Sequence, residues 1–321
     1  MSIKIDSVVK KPHTRQTFTK EELLEYARCM DPIYGPEYFM SKYVYVQHTQ
    51  LGRVLFELYD YQKELIDCYH NHRYSISLVS RQMGKSTLAA AYLLWYATFT
   101  KDVTILVASN KNDGAMEIMH RLRFAYEHLP NFLRAGVVSY NKKSIEFDNG
   151  SRIIAQATTE NTGRGLTLNL VYLDEFAFVP PRIAKEFWTS ISPTLSTGGK
   201  CIITSTPNND EDQFAEIWHL ANKRIDEYGN ETPTGVNGFR PYLATWERHP
   251  DRDQAWADEE FAKIGEDRFS REHLCVISDT LVTVKDEFGR IIVMPISKLF
   301  RRLKYEKIYN VIDRWKRIFS K

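Results

Sequence analysis

At 321 residues the chain is long enough for one large α/β unit or two domains. Its apolar content of 43% and charged content of 26% are ordinary for a globular protein, and a formal net charge of +2 leaves the class of partner open. Four scattered cysteines (Cys29, Cys68, Cys201 and Cys275), with no CxxC pair and no zinc spacing, exclude a disulfide framework and point to free thiols in a reducing compartment.

The first twenty residues are basic but carry no apolar stretch, so no secretory signal is read there. Residues 20–71 read as a helix, a loop and a second helix, "DYQKELIDCYHN". From 74 onward, strand-like apolar runs alternate with helical ones. "YSISLVS" leads into the helix "STLAAAYLLWYATF", and "VTILVAS" into the long helix "DGAMEIMHRLRFAYEHL". The most apolar run, 88–99, is too short to span a bilayer and reads as a buried helix, so no membrane partner is expected. "SIEFDNGSRIIAQA" predicts a hairpin about an Asn-Gly turn. "LNLVYLDEFAF" and "KCIITSTPN" are further buried strands. This alternation predicts an α/β fold, a mostly parallel sheet with helices on both faces. After Asn209 the pattern turns polar, Gly229, Gly235 and Gly238 mark loops, and a charged helix follows at about 253–264.

Two motifs carry chemistry. "VSRQMGKST" (79–87) joins a strand to a helix, where loop amides and the helix N-terminus form an anion site. Lys85 would reach the β- and γ-phosphates and the Ser86 hydroxyl would ligate Mg²⁺. The usual first glycine of such a loop is here Val79, and Gly-Lys-Ser alone would also suit an ordinary helix start capped by Ser86. The second motif is Asp174-Glu175, an acid pair closing the buried strand "NLVYLD", where α/β sheets bind ligands. Asp174 can hold the Mg²⁺ water shell and Glu175 can polarise an attacking water. The two together, in this order, predict phosphate-loop ATP hydrolysis.

Three further features fit. Arg81, inside the loop, could offset γ-phosphate charge, or make a surface ion pair. Of Tyr61-Gln62, the amide could read an adenine edge and the phenol stack on it, although Tyr61 also suits helix packing. "TSTP" (204–207) closes another strand close to where the γ-phosphate would lie; its side chains could sense phosphate loss or satisfy the turn.

"SRQMGKST", "VYLDEFAFVP", "TSTPN" and "DYQKEL" together resemble the ATPase motor of large terminases, the DNA-packaging enzymes of tailed phages, and most nearly the myovirus type. The resemblance covers residues 30–274. It implies a RecA/ASCE-like phosphate-loop NTPase core that uses ATP and Mg²⁺, with the loop formed by Ser80, Arg81, Gln82, Met83, Gly84, Lys85, Ser86 and Thr87. By the same resemblance Gln62 contacts adenine, beside Tyr61, and Arg81 acts as a cis arginine. Asp174 serves Mg²⁺, Glu175 is the catalytic carboxylate, and Thr204-Ser205-Thr206 couples hydrolysis to movement. Arg164 of "TGRG" is assigned to the nucleotide or to a subunit boundary. The implied organisation is a core at 58–210 with a small lid subdomain in which 1–57 packs against 211–274. The implied partners are double-stranded DNA, the portal of a procapsid and a small terminase subunit. The motor would work as a homo-oligomeric ring in the host-cell cytoplasm, docked transiently on the procapsid. The family's RNase H-like nuclease domain is expected to be missing from this chain. A superfamily-two helicase or translocase, and a non-catalytic nucleotide-gated DNA-binding module, are the rival readings.

At Cys275 the composition changes. Residues 275–321 carry eleven basic and five acidic side chains, a charge of +6 that leaves 1–274 at −4. "CVISDTLVTVKDEFGRI" resembles the opening block of an intein, with Cys275 as the nucleophile of an N-to-S acyl shift at the Leu274 peptide bond. Residues 275–321 are therefore expected to be a short β-rich N-terminal intein fragment outside the ATPase fold. A second polypeptide would supply the remainder and the nuclease half; a terminase linker with a stray cysteine is the alternative.

Overall fold

The structure, a computed structural model, describes residues 8–208, 212–225, 228–275, 281–285, 291–295 and 299. Helix α1 (Lys20–Cys29) starts at a capping box, in which the Thr19 hydroxyl accepts from Glu22 N–H and the Glu22 carboxylate accepts from Thr19 N–H. Helix α2 (Gly35–Tyr43) and a hairpin of β1 (Tyr45–His48) and β2 (Gly52–Leu55) occupy the stretch expected to be loop. Then come α3 (Asp60–Asn71), β3 (Tyr74–Val79), α4 (Lys85–Phe99), β4 (Thr104–Ser109) and α5 (Asn112–Glu127). An edge group of β5 (Val137–Tyr140), β6 (Ser144–Phe147) and β7 (Arg152–Ala157) follows, with the β6–β7 hairpin turning at Asn149-Gly150, where Gly150 has φ +82°. The chain continues through β8 (Leu170–Asp174), α6 (Pro181–Ser196), β9 (Lys200–Ser205), α7 (Gln213–Ala221), β10 (Phe239–Ala244), α8 (Gln254–Ile264) and α9 (Glu266–Glu272). Among the described residues, β11 (Leu281–Lys285) and β12 (Ile291–Pro295) follow.

One eight-stranded sheet runs β10-β3-β9-β8-β4-β7-β6-β5. Its first six strands are parallel, and β6 and β5 close one edge antiparallel. The α/β expectation therefore holds. Period-two alternation sorts the strand residues to two faces. Leu170 and Tyr172 of β8 join Val107 and Ile202 under α3, α4 and α5, whereas Val171 and Leu173 join Ile76, Leu106 and Ile203 under α6 and α7. The parallel register lines up the C-terminal ends of neighbouring strands: Ala244 opposite Val79, Leu78 opposite Ser205, Thr204 opposite Asp174, and Asp174 opposite Ser109. The functional residues gather along that rim. No described helix is long and apolar enough to cross a membrane.

Two expectations about organisation need correction. β10, from the stretch assigned to the lid, pairs with β3 from Phe239↔Tyr74 to Ala244↔Val79 and so belongs to the core sheet. The N-terminal helices pack on α4: Trp95 Nε1 donates to Cys29 O at 2.8 Å, and Phe39 meets Phe99 edge-on at 5.5 Å. The cause lies in α4, which is apolar nearly all round and needs cover on the side away from the sheet. The expected intein fragment lies mostly outside the described residues. Within it, β11 and β12 form a separate antiparallel pair, and Cys275 is only 4% exposed, packed into the apolar cluster of the α6–α7 face. Cys275, the first residue past the expected seam, is thus packed with the core.

Candidate active site

The phosphate loop bridges β3 and α4. Ser80 N–H extends the sheet by donating to Ala244 O at 2.9 Å. Gln82 (φ +60°) and Gly84 (φ +75°) then reverse the chain in the left-handed region. Gly84 is needed twice over, since a Cβ there would also meet Gln62 Nε2 at 2.9 Å. Lys85 begins α4, so the helix N-terminus and its free N–H groups face the loop. The Lys85 side chain is largely buried, and its Nζ lies 2.7 Å from Glu175 Oε1.

The acid pair comes from the end of β8. Asp174 is buried, and its Oδ1 accepts from Tyr172 OH at 2.9 Å, Thr204 Oγ1 at 3.1 Å and Ser86 Oγ at 3.3 Å. Burial, with the neighbouring Glu175 charge adding to it, pushes the Asp174 carboxyl above the ordinary range; Lys85 and the hydroxyl donors pull the other way. Glu175 sits at φ +50°, an uncommon backbone for a non-glycine residue that costs about 1–2 kcal/mol. That twist turns its side chain to bridge two elements. Oε1 meets Lys85, while Oε2 accepts from Thr206 N–H at 3.3 Å and Ser205 Oγ at 3.4 Å, with Thr206 Oγ1 at 3.5 Å. Ser205 also holds the turn after β8 by accepting from Ala177 N–H.

The structure therefore brings Lys85, Ser86, Asp174, Glu175, Thr204, Ser205 and Thr206 together, and places the other candidates differently. Tyr61 is 1% exposed and its hydroxyl donates to Met83 O at 2.9 Å, so its ring is a support under the loop and offers no face to a base. Gln62 has both amide atoms engaged: Oε1 accepts from Tyr59 N–H and Nε2 donates to Met83 O. In this arrangement both side chains are used on the protein itself. Arg81 pairs with Glu272 of α9, Nη1 to Oε2 at 3.2 Å, with a side chain 63% exposed. That is the surface ion pair of the two readings open for it. Thr87 turns to α5 and accepts from Arg121 Nη1 at 2.6 Å. Arg164 stands apart, its Nε donating to Ser190 Oγ of α6 at 3.1 Å. Ser80 is buried and bonds to Glu272 O and His273 Nδ1, both at 3.3 Å. Cys275 Sγ lies 3.9 Å from Ala244 O, and burial pushes its thiol up to about 12.

Sequence reasoning missed Tyr172, Arg252, Glu272 and His273. Tyr172 was detectable, since period two along β8 puts it on the face of Asp174. The other three carry no local signal; they reach the loop from far along the chain. A divalent cation fits what is present. Among the described residues no cluster of three or more His, Cys, Asp or Glu side chains could hold a metal unaided. Ser86 and Asp174 supply the hard oxygen donors that Mg²⁺ uses beside phosphate and water.

Comparison with known proteins agrees with this geometry. A family model described as "Terminase large subunit, T4likevirus-type, N-terminal" matches residues 76–291. The chain is similar to the ATPase domain of the Thermus phage P74-26 large terminase, with a TM-score of 0.53 and 20% identity over 69% of this chain and 94% of that one. It is also similar to the large terminase of bacteriophage HK97, with a TM-score of 0.60 and 15% identity over 90% and 72% of the two chains. The large terminase of the thermophilic bacteriophage D6E, in complex with ADP, gives 0.52 and 12% over 70% and 55%. At these identities the solved structures establish a common fold.

Proposed function

We propose that this chain, which belongs to the T4-like family of terminase large subunits, is the ATP-hydrolysing motor that drives double-stranded DNA into a procapsid. The observation that carries this is Glu175, one carboxylate bonded at once to the phosphate-loop Lys85 and to the strand-end residues Ser205 and Thr206. A residue so placed can act on a water at the γ-phosphate and pass the loss of that phosphate to β9. On this reading ATP displaces the Lys85–Glu175 pair, and Lys85 turns to the β- and γ-phosphates. Glu175 accepts a proton as a water oxygen bonds to the γ-phosphorus; the bond from that phosphorus to the β-bridging oxygen breaks, and ADP is the leaving group. Ser86 and Asp174 would hold Mg²⁺, which when bound offsets phosphate charge. Tyr172 and Thr204 keep the Asp174 carboxylate aimed. The D6E relative solved with ADP supports the choice of nucleotide. Work on DNA implies a homo-oligomeric ring on the portal, fed by a small terminase subunit, in the host-cell cytoplasm. Arg164, exposed and held by Ser190, is the candidate to act across a subunit boundary of that ring.

The test is phosphate release from ATP by the parent protein, alone and with DNA and procapsids. Lys85→Ala and Glu175→Gln should abolish release; hydrolysis that survives both changes would refute the assignment.

We also propose that Cys275 opens an intein N-terminal fragment. The support is the "CVISDTLVTV" resemblance, the charge change at this point, and the separate β11–β12 pair. The thiolate would attack the Leu274 carbonyl carbon, the Cys275 nitrogen would leave as an amine, and a thioester would result. Burial of the thiol means that the junction must first leave the core. Intact-mass measurement after co-expression with a polypeptide that carries the remainder of an intein tests this: loss of residues 275–321 from the chain is expected, and retention of them with no ligated product would refute it.

A further inference from the structure

A phosphate loop offers its N–H groups to the ligand, so its carbonyls turn the other way and need donors of their own. Three successive carbonyls show where those donors come from. Met83 O is served from α3, by Tyr61 OH at 2.9 Å and Gln62 Nε2 at 3.3 Å. Arg81 O and Gln82 O are both served by one nitrogen, Nη2 of Arg252, at 3.1 and 3.3 Å. Gln82 is also the strained residue of the loop, with φ +60°. Its carbonyl is held by a charged donor, the stronger class of hydrogen bond.

Arg252 lies just before α8 and is itself fixed. Its guanidinium stands 4.4 Å from the ring centroid of Trp256, four residues on. Trp256 packs on Trp246 and meets His273 edge-on at 5.2 Å. The same segment grips the loop a second time, because Arg81 N–H donates to Glu272 O at 2.8 Å. The outer side of the loop is thus held by residues 252–272, which the motif itself does not contain.

We propose that Arg252 is a positioning residue for nucleotide binding. By holding the Arg81 and Gln82 carbonyls outward, it keeps the strained loop open with its amides toward the phosphates. This rests on the nucleotide reading of the site. The rival is a staple, in which Arg252 merely fastens α8 to the core; that role would alter thermal stability and the fraction of active protein and leave KM alone.

Steady-state hydrolysis and titration with a fluorescent ATP analogue, on the full chain, separate the two. Arg252→Ala is expected to raise KM and Kd about tenfold, as losing one charge-assisted contact would, with kcat falling by less than KM rises. Arg252→Lys keeps the charge but loses the planar fork and the stack on Trp256, and should fall between parent and alanine. If Arg252→Ala does not fold, Trp256→Leu, which frees the guanidinium without removing it, should raise KM in the same direction. An unchanged KM in every folded variant, whatever happens to Tm, overturns the proposal. A parent protein that binds no nucleotide overturns the reading of the site, and the proposal with it; binding by the parent with unchanged affinity in the variants overturns the proposal alone.

Discussion

Lys85 and Glu175 form an ion pair across the site, Nζ to Oε1 at 2.7 Å. The lysine that should meet phosphate is thus occupied by the carboxylate that should meet water, and ATP must break the pair to bind. Glu175→Gln removes the competing charge and leaves Lys85 free. We expect it to bind ATP as tightly as the parent or severalfold more tightly, while hydrolysis falls by two orders of magnitude or more, ~100-fold being typical for loss of a positioned base. Lys85→Ala should lose both. Titration with a fluorescent ATP analogue beside a phosphate-release assay checks this, and weaker binding by Glu175→Gln would contradict it.

Asp174 predicts a trade between stability and activity. Burial, with Glu175 beside it, raises its carboxyl above the ordinary range. A carboxyl whose folded value is raised stabilises the fold while protonated, and that contribution is lost as pH rises through the folded value. Where it is ionised, Asp174 is therefore a cost to the fold. Asp174→Asn keeps an oxygen to accept from Tyr172 and Thr204 and removes the charge. Its Tm should rise at pH 7.5 by roughly 1–2 °C, the shift that about 1 kcal/mol produces in a chain of this size. The gain should shrink as pH drops from neutrality toward the ordinary carboxylate range, and hydrolysis should be lost at every pH. Calorimetry across that range is the measurement. For the same reason Mg²⁺-dependent ATP binding by the parent should weaken on acidification before an ordinary carboxylate would titrate.

Tyr61 supports the loop from beneath, through Met83 O. Tyr61→Phe keeps the buried ring and deletes that bond, leaving Gln62 Nε2 as the remaining side-chain donor to Met83 O. The expected cost is about 1 kcal/mol of stability, with a modest rise in KM. The ratio of KM for ATP to KM for GTP should not change, because the ring is buried beneath the loop. A shift in that ratio would restore the stacking role.

The parts of this molecule that were legible in the sequence are those in which function and local structure coincide. β3 with its loop and α4, and β8 with its acid pair, each pack an apolar run directly against a polar terminus, so period and motif agree. The unread parts have particular causes. α2 opens with Gly35-Pro36, which looks like a loop although proline suits a first helical turn. β10 contains Pro241, which argues against a central strand; it lies at the sheet edge, where a missing N–H is tolerated. Arg252 reaches Arg81 across 171 residues, and "HPDRDQAW" shows only a helix start capped by Asp253. The burial of Tyr61 was not legible either, because it depended on where the loop would fold back.

The cysteines give a prediction that bears on the Leu274–Cys275 junction. All four are free and buried, and burial pushes the thiols of Cys29, Cys68 and Cys275 up to about 12. Native protein should therefore show no fast-reacting thiol toward an aromatic disulfide reagent at pH 8, and all four after denaturation. Cys275 should be the first to yield as denaturant is added. It lies just past the short helix α9, whereas Cys201 lies within a central strand of the sheet and Cys29 is covered by α4. Glu272 and His273, three and two residues before Cys275, are bonded to Ser80 and Arg81. A ligand that orders the loop should then slow labelling of Cys275 more than that of Cys68. Peptide mapping by mass spectrometry, with and without a non-hydrolysable ATP analogue, reads this directly. Equal protection at the two positions would mean that the loop and the junction open independently, and fast native labelling of Cys275 would mean that the junction is already outside the core.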